Sequence, residues 1–240
     1  MGRSVDAESP LSHEFIKNNI LSKGHEIATH GYYHRAQNKI RPIEGIKDII
    51  DCRIALEKAF KMLIRGMAFP DSIINRATEP EAYKKFKNYI EDLEIAYVRS
   101  AGADNDKFIL PDDWHHWMPT AHHDNPQVIE YIKKFMALDL SVAYKASLHP
   151  RLFYLWGHSF EFERKHNWEH LETLCQMLSG KENVWYATNV EIYDYVKAYN
   201  SLIYSADGTI VNNPTLIDVW FDVDKTLYLV KSGETITIKP

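Results

Sequence analysis

The amino-acid sequence predicts an α/β fold: a parallel sheet or a β/α barrel over residues 1–200, followed by a small C-terminal antiparallel β appendage over residues 201–240. Two observations predict it. Helical periodicity alternates with short apolar segments through the first 200 residues, which is typical of a parallel sheet or a β/α barrel. After residue 200, short apolar segments are separated by the turn dipeptides Asp207-Gly208, Asp224-Lys225 and Ser232-Gly233. We therefore predict two domains.

Six segments have the apolar spacing of helices. The clearest covers residues 42–62, where Pro42 suits the first turn. In the first segment Pro10 comes early, Ser12 is placed to cap the helix, and Gly24 is placed to end it. The predicted helices are residues 10–23, 42–62, 79–92, 126–138, 166–179 and 189–199.

Short apolar segments between and after these helices predict strands. In the barrel they cover residues 25–30, 64–69, 95–98, 152–156 and 184–187, and in the appendage residues 209–211, 216–223, 227–230 and 235–238. Residues 100–125 have no clear period and are rich in Asp, His, Trp and Pro. An irregular stretch of this length inside a compact domain is usually functional.

Composition excludes several classes of protein. The 240 residues are 45% hydrophobic and 25% charged with a net charge of -5, which is typical of a globular chain. The chain has no basic stripe, so we expect no nucleic-acid partner, and no apolar run of about 20 residues, so we expect no membrane partner. The N-terminus lacks the apolar region of a signal peptide, so the sequence as written predicts a cytoplasmic location, although the compartment stays open.

The two cysteines, Cys52 and Cys175, lie far apart in predicted helices. The sequence predicts two buried thiols, and a disulfide between them stays as the alternative. The chain has no CxxC pair, so a zinc ribbon is excluded.

His30 and His34 are the first candidates for metal ligands. Two histidines four residues apart, directly after a predicted strand, can point the same way and bind one ion at about 2.0–2.1 Å. On spacing alone, two surface or core histidines are the favoured interpretation.

The residues around this pair resemble a known family. Gly24-His25-Glu26-Ile27-Ala28-Thr29-His30 followed by Tyr33-His34 is similar to the histidine motif of the polysaccharide deacetylases, the NodB-homology family. Gly31 departs from that motif, because the family commonly has Ser or Thr there. The resemblance implies an irregular β/α barrel of the deacetylase type, with His30 and His34 holding Zn²⁺ or another divalent metal.

Two further segments follow in the family's order. Arg65-Gly66-Met67-Ala68-Phe69-Pro70 resembles, loosely, the motif whose arginine orients a catalytic aspartate. Leu155-Trp156-Gly157-His158 resembles the motif whose histidine is the general acid. The resemblance implies catalytic roles for Arg65 and His158; an edge arginine and a structural histidine are the alternatives.

Three segments resemble the loop that forms one wall of the sugar site in a bacterial subfamily: Val98-Arg99-Ser100, Leu110-Pro111-Asp112-Asp113-Trp114 and Trp117-Met118-Pro119-Thr120-Ala121-His122-His123. Indole faces can stack on sugar rings, while Asp and His make directional hydrogen bonds. The resemblance implies substrate binding, and a loop anchored by its aromatic residues is the alternative. The implied substrate-binding residues are Arg99, Asp113, Trp114, Trp117, His122, His123 and Trp156.

The family's aspartate pair, which supplies the general base and a third metal ligand, has no counterpart before His30. The acids there are Asp6, Glu8, Glu14 and Glu26. We therefore expect an N-terminally truncated chain that lacks the first strands of the barrel. Exposed strand edges would favour a homo-oligomer.

These observations predict a metal-dependent hydrolase that removes N-acetyl groups from an amino-sugar polysaccharide or oligosaccharide, impaired by loss of the aspartate pair. The alternative is a non-catalytic glycan-binding or interaction module derived from a deacetylase. A different hydrolase that uses His30, His34 and an acid such as Asp113 or Asp124 is a third interpretation.

Overall fold

A computed structural model describes residues 11–71, 73–101, 106–139 and 150–239, so Asp6, Glu8 and Pro10 lie outside the described residues. The chain forms two compact units. The first comprises residues up to 23 and Ile27–Tyr186, and the second comprises Gly24–Glu26 and the residues from Ala187 onward. The domain boundary predicted at residue 200 stays a prediction.

In the described part of the chain, six α-helices belong to the first unit. They are α1 (His13–Asn19), α2 (Pro42–Phe60), α3 (Pro80–Asp92), α4 (Val128–Met136), α5 (Ser159–Lys165) and α6 (Trp168–Leu178). The Ser12 hydroxyl caps α1 by accepting the Phe15 N–H at 3.0 Å, as predicted. The helix predicted at 166–179 is confirmed as α6, whereas the sequence did not predict α5.

Short parallel segments form the sheet of the first unit: β1 (Gly66–Ala68), β2 (Tyr97–Arg99), β3 (Ala121–His122) and β4 (Leu155–Trp156). β1 pairs with β2, and β3 pairs with β4. Thr29 adds a parallel bridge to Met67, and Trp117 adds one to Arg99. Each segment therefore pairs with the segment before or after it in chain order, about 20 to 40 residues away, as expected when a connection joins two parallel strands.

Apolar side chains from helices and strands fill the space between them. One cluster joins α2, α3, β1 and β2 through Ile49, Phe86, Met67 and Val98. Burying a side chain of this size contributes roughly 1.5–3 kcal/mol. A second cluster packs α4 and α6 against β3. The packing holds the strands in place and leaves their carboxyl ends to carry polar residues.

Two strand predictions and one cysteine prediction are wrong in detail. In the predicted strand at 25–30 only Thr29 makes a parallel bridge, and residues 184–187 form no strand. Trp185 and Tyr186 lie 60% and 53% exposed, so an apolar run there did not indicate a buried strand. Cys52 is a buried free thiol as predicted, but Cys175 is exposed, because it lies on the outer face of α6.

The second unit contains α7 (Asn189–Asn200) and an antiparallel β region. The sequence predicts both the helix and the antiparallel strands, but it assigns the helix to the barrel domain. Its strands are β5 (Ile203–Tyr204), β6 (Ile210–Asn212), β7 (Val219–Val223), β8 (Thr226–Val230) and β9 (Thr235–Thr237). β6 lies between β5 and β9, and β7 and β8 form a hairpin. The sequence did not predict β5. Alternate residues such as Val219 and Phe221 are buried and form the core of this unit.

None of the helices in the described residues combines the length and the apolar composition that crossing a bilayer requires.

Candidate metal and hydrolase site

His30 and His34 face each other across one turn of chain. Their Nε2 atoms lie 3.1 Å apart. The Nδ1 of His30 lies 2.9 Å from the carbonyl oxygen of Ala68, and the Nδ1 of His34 lies 3.3 Å from Oδ1 of Asp71. Each ring can donate from Nδ1 to an oxygen, which leaves the Nε2 lone pair directed at the shared space.

This geometry fits two ligands of one metal ion. Two nitrogens bound at about 2.0–2.1 Å to a tetrahedral ion are separated by roughly 3.3 Å. Metal-binding histidines typically donate their other ring N–H to a carbonyl or carboxylate, and Nδ1 of each ring faces such an oxygen here. Burial, opposed by the bond to Ala68 and reinforced by His34 and Arg99, lowers the pKa of His30 to about 4. The His30 ring is therefore neutral near pH 7, as a ligand must be.

The backbone between the two histidines is held by Asp48 of α2. The Tyr33 N–H donates to Asp48 Oδ1 at 2.7 Å, and the Tyr32 N–H donates to the Asp48 carbonyl at 3.0 Å. Gly31 has a φ of +74°, and a Cβ there would overlap Oδ2 of Asp48. Asp48 and Gly31 together determine the turn that brings His34 back to His30.

Several predicted site residues lie at the carboxyl ends of the parallel segments. His30 follows Thr29, Arg99 ends β2, His122 ends β3, and His158 follows β4. The Arg99 guanidinium lies 4.3 Å from the centre of the Trp156 ring. In α/β folds, the catalytic and binding residues typically lie at this edge of the sheet.

Ring contacts connect Trp156 to the two histidines nearest to it. Trp156 contacts His122 at 4.7 Å and His158 at 5.8 Å between ring centroids. The structure therefore brings together Arg99, Trp156, His122 and His158. The charge of Arg99 also acts on His30.

Glu161, which the sequence analysis did not single out, connects three of the predicted histidines. Its Oε2 lies 2.8 Å from Nε2 of His123, 3.2 Å from Nε2 of His122 and 3.3 Å from Nδ1 of His158. The same oxygen accepts the backbone N–H of His158 at 3.0 Å. Burial raises the pKa of Glu161, but the bonds from His123 and the His158 N–H and the charge on His122 outweigh it and lower the pKa to about 2.

Arg65 lies at the opposite end of β1 from Ala68, the residue that contacts His30. Its carbonyl accepts the Ala96 N–H at 2.7 Å. Three residues of strand span about 10 Å. This backbone placement does not bring Arg65 to the His30 edge of the sheet, and its catalytic role stays a prediction.

Two predicted substrate-binding residues of the 100–125 loop make contacts within the protein. Trp117 is 1% exposed, and its ring packs edge-on against Tyr97, Trp114 and Tyr154. Asp113 accepts from the Tyr83 hydroxyl at 2.7 Å and from Lys87 at 2.8 Å. These placements favour packing and anchoring roles for Trp117 and Asp113 over the predicted substrate-binding roles.

Sequence comparison assigns no family: no family model matches the chain, and no curated protein matches it. Structural comparison does find a similar fold. A probable polysaccharide deacetylase from Pseudomonas aeruginosa PAO1 is 16% identical with a TM-score of 0.51, over 76% of this chain and 62% of that protein. This chain has the polysaccharide deacetylase fold. The likeness is to the fold alone, since the identity is low.

Two other solved structures are similar to this chain at lower TM-scores. A CE4 family pseudoenzyme from Bacillus anthracis is 13% identical with a TM-score of 0.42, over 77% of this chain. The Puue allantoinase is 13% identical with a TM-score of 0.49, over 76% of this chain. The chain spans about 54% of the length of the pseudoenzyme and 64% of that of the allantoinase.

Proposed function

We propose that this chain is a metal-dependent carbohydrate deacetylase, which hydrolyses N-acetyl groups of an amino-sugar polysaccharide or oligosaccharide. The observation that carries the proposal is the His30/His34 pair, with its two Nε2 atoms 3.1 Å apart and both Nδ1 atoms facing oxygens. The deacetylase fold and the position of the pair at the carboxyl edge of the parallel segments support it. We further propose that these segments belong to an irregular β/α barrel.

His30 and His34 would hold Zn²⁺ or another divalent ion, which when bound polarises a carbonyl and lowers the pKa of water. His158, whose side chain is 44% exposed, would donate a proton to the departing amine. Oε2 of Glu161 fixes the backbone of His158 and lies 3.3 Å from Nδ1 of its ring, so Nε2 is the atom that would give the proton. Trp156, half-buried beside Arg99 and His158, would contact the sugar.

We propose that hydrolysis by this chain is weak. The acids that precede His30 in the sequence include no adjacent aspartate pair, which the family uses as base and third ligand. Catalytic zinc normally has three protein ligands. In the described part of the chain, the His30/His34 pair belongs to no group of three or more His, Cys, Asp or Glu side chains whose ligand atoms all lie within 4.8 Å of one another.

Elemental analysis of purified protein tests the metal site. We expect His30→Ala and His34→Ala each to remove one equivalent of zinc relative to the unmodified chain. His25→Ala, an exposed histidine five residues before His30, is the matched control and should leave the metal content unchanged. Equal zinc in the His30→Ala and His25→Ala proteins would refute the proposed site.

Acetate release from an N-acetylated chito-oligosaccharide tests the reaction. We expect His158→Ala to lower the rate by about 10²–10⁴-fold without changing zinc content, because a general acid acts on the leaving group and not on the metal. A His158→Ala rate equal to that of the unmodified chain would remove His158 from the mechanism.

A non-catalytic glycan-binding module is the second candidate, because the search of the described residues places no third His, Cys, Asp or Glu in a metal-binding group with His30 and His34. It predicts oligosaccharide binding that weakens in Trp156→Ala, with no acetate release at any metal concentration. A homo-oligomer and a carbohydrate partner are part of both proposals, and neither proposal includes a nucleic acid or a membrane.

A further inference from the structure

A second cluster of metal-ligating side chains lies at the carboxyl end of β3 and the start of α5. His122, His123, Asp124 and Glu161 each offer a ligand atom, and these atoms all lie within 4.8 Å of one another. Among the described residues it is the one group of three or more His, Cys, Asp or Glu side chains with this property. The cluster contains none of the residues of the His30/His34 pair.

We propose that this cluster binds a second divalent transition-metal ion of the zinc class, independently of His30 and His34. The ligands are Nε2 of His122, Nε2 of His123 and a carboxylate oxygen of Glu161, and Asp124 holds the ring of His123 from behind. Two imidazole nitrogens and a carboxylate suit Zn²⁺, Co²⁺ or Ni²⁺ better than Ca²⁺ or Mg²⁺, which prefer oxygen ligands alone.

The distances fit such an ion. Oε2 of Glu161 lies 3.2 Å from Nε2 of His122 and 2.8 Å from Nε2 of His123. Ligand atoms of a tetrahedral ion are separated by roughly 3.3 Å, so small side-chain rotations place these three atoms around one centre.

The buried nitrogen of His123 provides the independent observation. His123 is 2% exposed, and its Nδ1 makes no hydrogen bond, although Oδ1 of Asp124 lies 3.2 Å away. When Nε2 of neutral His123 donates to Glu161, Nδ1 carries only a lone pair and faces a carboxylate, which is unfavourable. If Nε2 bound an ion, the proton of the ring would lie on Nδ1 and face the Asp124 carboxylate, as in the usual carboxylate–histidine–metal arrangement.

The ring of His123 is fixed in place for this role. It stacks on Phe162 with 4.1 Å between ring centroids, and a Cβ on Gly157 would overlap it. Lys165 forms an ion pair with Asp124 and holds that carboxylate against the cluster. If Nε2 of His122 bound the ion, the proton of that ring would lie on Nδ1. Nδ1 would then no longer accept the hydrogen bond from the Asp124 N–H, whose nitrogen lies 3.2 Å away.

The competing account needs no metal. A protonated His123 between Glu161 and Asp124 would satisfy the same contacts as an ion-pair network. The experiment therefore measures metal directly, in a chain whose first pair has been removed.

The double variant His30→Ala/His34→Ala is titrated with Zn²⁺ by isothermal calorimetry, and bound zinc is confirmed by elemental analysis after dialysis. We expect one zinc per chain, with Kd weakened about tenfold or more by adding His122→Ala or Glu161→Gln. Glu169→Gln, an exposed glutamate on α6, is the matched control and should leave the Kd unchanged. Circular dichroism verifies folding, and the isosteric Glu161→Gln decides the result if His122→Ala does not fold.

Two results would overturn the inference: a folded double variant that binds no zinc, or zinc binding that survives both His122→Ala and Glu161→Gln. Either would leave the cluster as an ion-pair network only. Because the test uses a chain without His30 and His34, its failure is separate from a failure of the proposed deacetylase site.

Discussion

Replacing Gly31 by alanine should destabilise the protein more than its backbone conformation alone accounts for. Gly31 has a φ of +74°, and a Cβ there overlaps Oδ2 of Asp48. The left-handed conformation destabilises the folded state of an alanine variant by roughly 1–2 kcal/mol. The lower conformational entropy of its unfolded chain offsets about 0.4–1 kcal/mol of this loss. The overlap adds a second cost, because Asp48 cannot move away without losing its bond from the Tyr33 N–H.

A hydrogen bond to a charged group contributes about 1.5–3 kcal/mol, so we expect Gly31→Ala to lower the free energy of unfolding by about 2–4 kcal/mol. Gly180→Ala is the matched control, since Gly180 has a φ of +67° and no other atom lies within 4 Å of the position that a Cβ would take there. It should cost no more than about 1.5 kcal/mol. Urea unfolding followed by circular dichroism measures both variants.

Gly31→Ser should behave like Gly31→Ala, although the resembling motif commonly has Ser there. The same shift of Asp48 would separate His34 from His30, so bound zinc should fall with stability. If Gly31→Ala is no less stable than Gly180→Ala, then Asp48 does not constrain the turn and the reasoning fails.

Three further perturbations test the surroundings of the site. Gly157→Ala should lower the free energy of unfolding by about 1–3 kcal/mol, because its Cβ overlaps the buried ring of His123; unchanged urea unfolding would contradict this. Asp113→Ala should cost about 1.5–3 kcal/mol through loss of the bond from the Tyr83 hydroxyl, and a smaller change in the urea midpoint would count against an anchoring role. The pKa of Glu161 lies at about 2, below its ordinary 4.5, so its stabilisation is present above pH 4.5 and lost as pH falls toward 2. The stability difference between the unmodified chain and Glu161→Gln should therefore shrink across that range, and a constant difference would refute the assignment.

The fold was predictable largely because helices carry strong periodic signals. α2, α3, α4 and α7 match the predicted segments closely. The strands were harder, since each parallel segment pairs over only two or three residues and the apolar runs around them are longer. Pairing partners distant in sequence determine where such a strand begins and ends.

The His30/His34 pair was predictable from its spacing, but the residues that orient it were not. Asp48 lies inside α2 beside Ile49, where a polar residue would normally indicate a solvent-facing position. Its burial follows from contact with the 31–33 turn, and no local pattern encodes that contact. Asp71 was missed for the same reason.

Glu161 was missed because its helix was missed. α5 begins with His158 at the capping position and Glu161 three residues later, and the carboxylate accepts the His158 N–H. The sequence signature of this motif has Ser or Thr at the first position, so His-x-x-Glu does not match it. The predicted sugar wall at His122 and His123 is therefore partly an internal polar network.

The second unit draws residues from two distant parts of the chain. The Val190 N–H at the start of α7 donates to Glu26 Oε2 at 3.1 Å, across 164 residues of sequence. During synthesis, α7 gains the carboxylate at its positive end only by returning to a segment made far earlier. We expect a fragment that begins at residue 187 to fold less readily than the same residues in the whole chain. Bringing Glu26 and Val190 together costs loop-closure entropy, and this cost is smaller when the residues between them have already folded. Folding of the second unit should therefore depend on prior folding of the residues between Glu26 and Ala187.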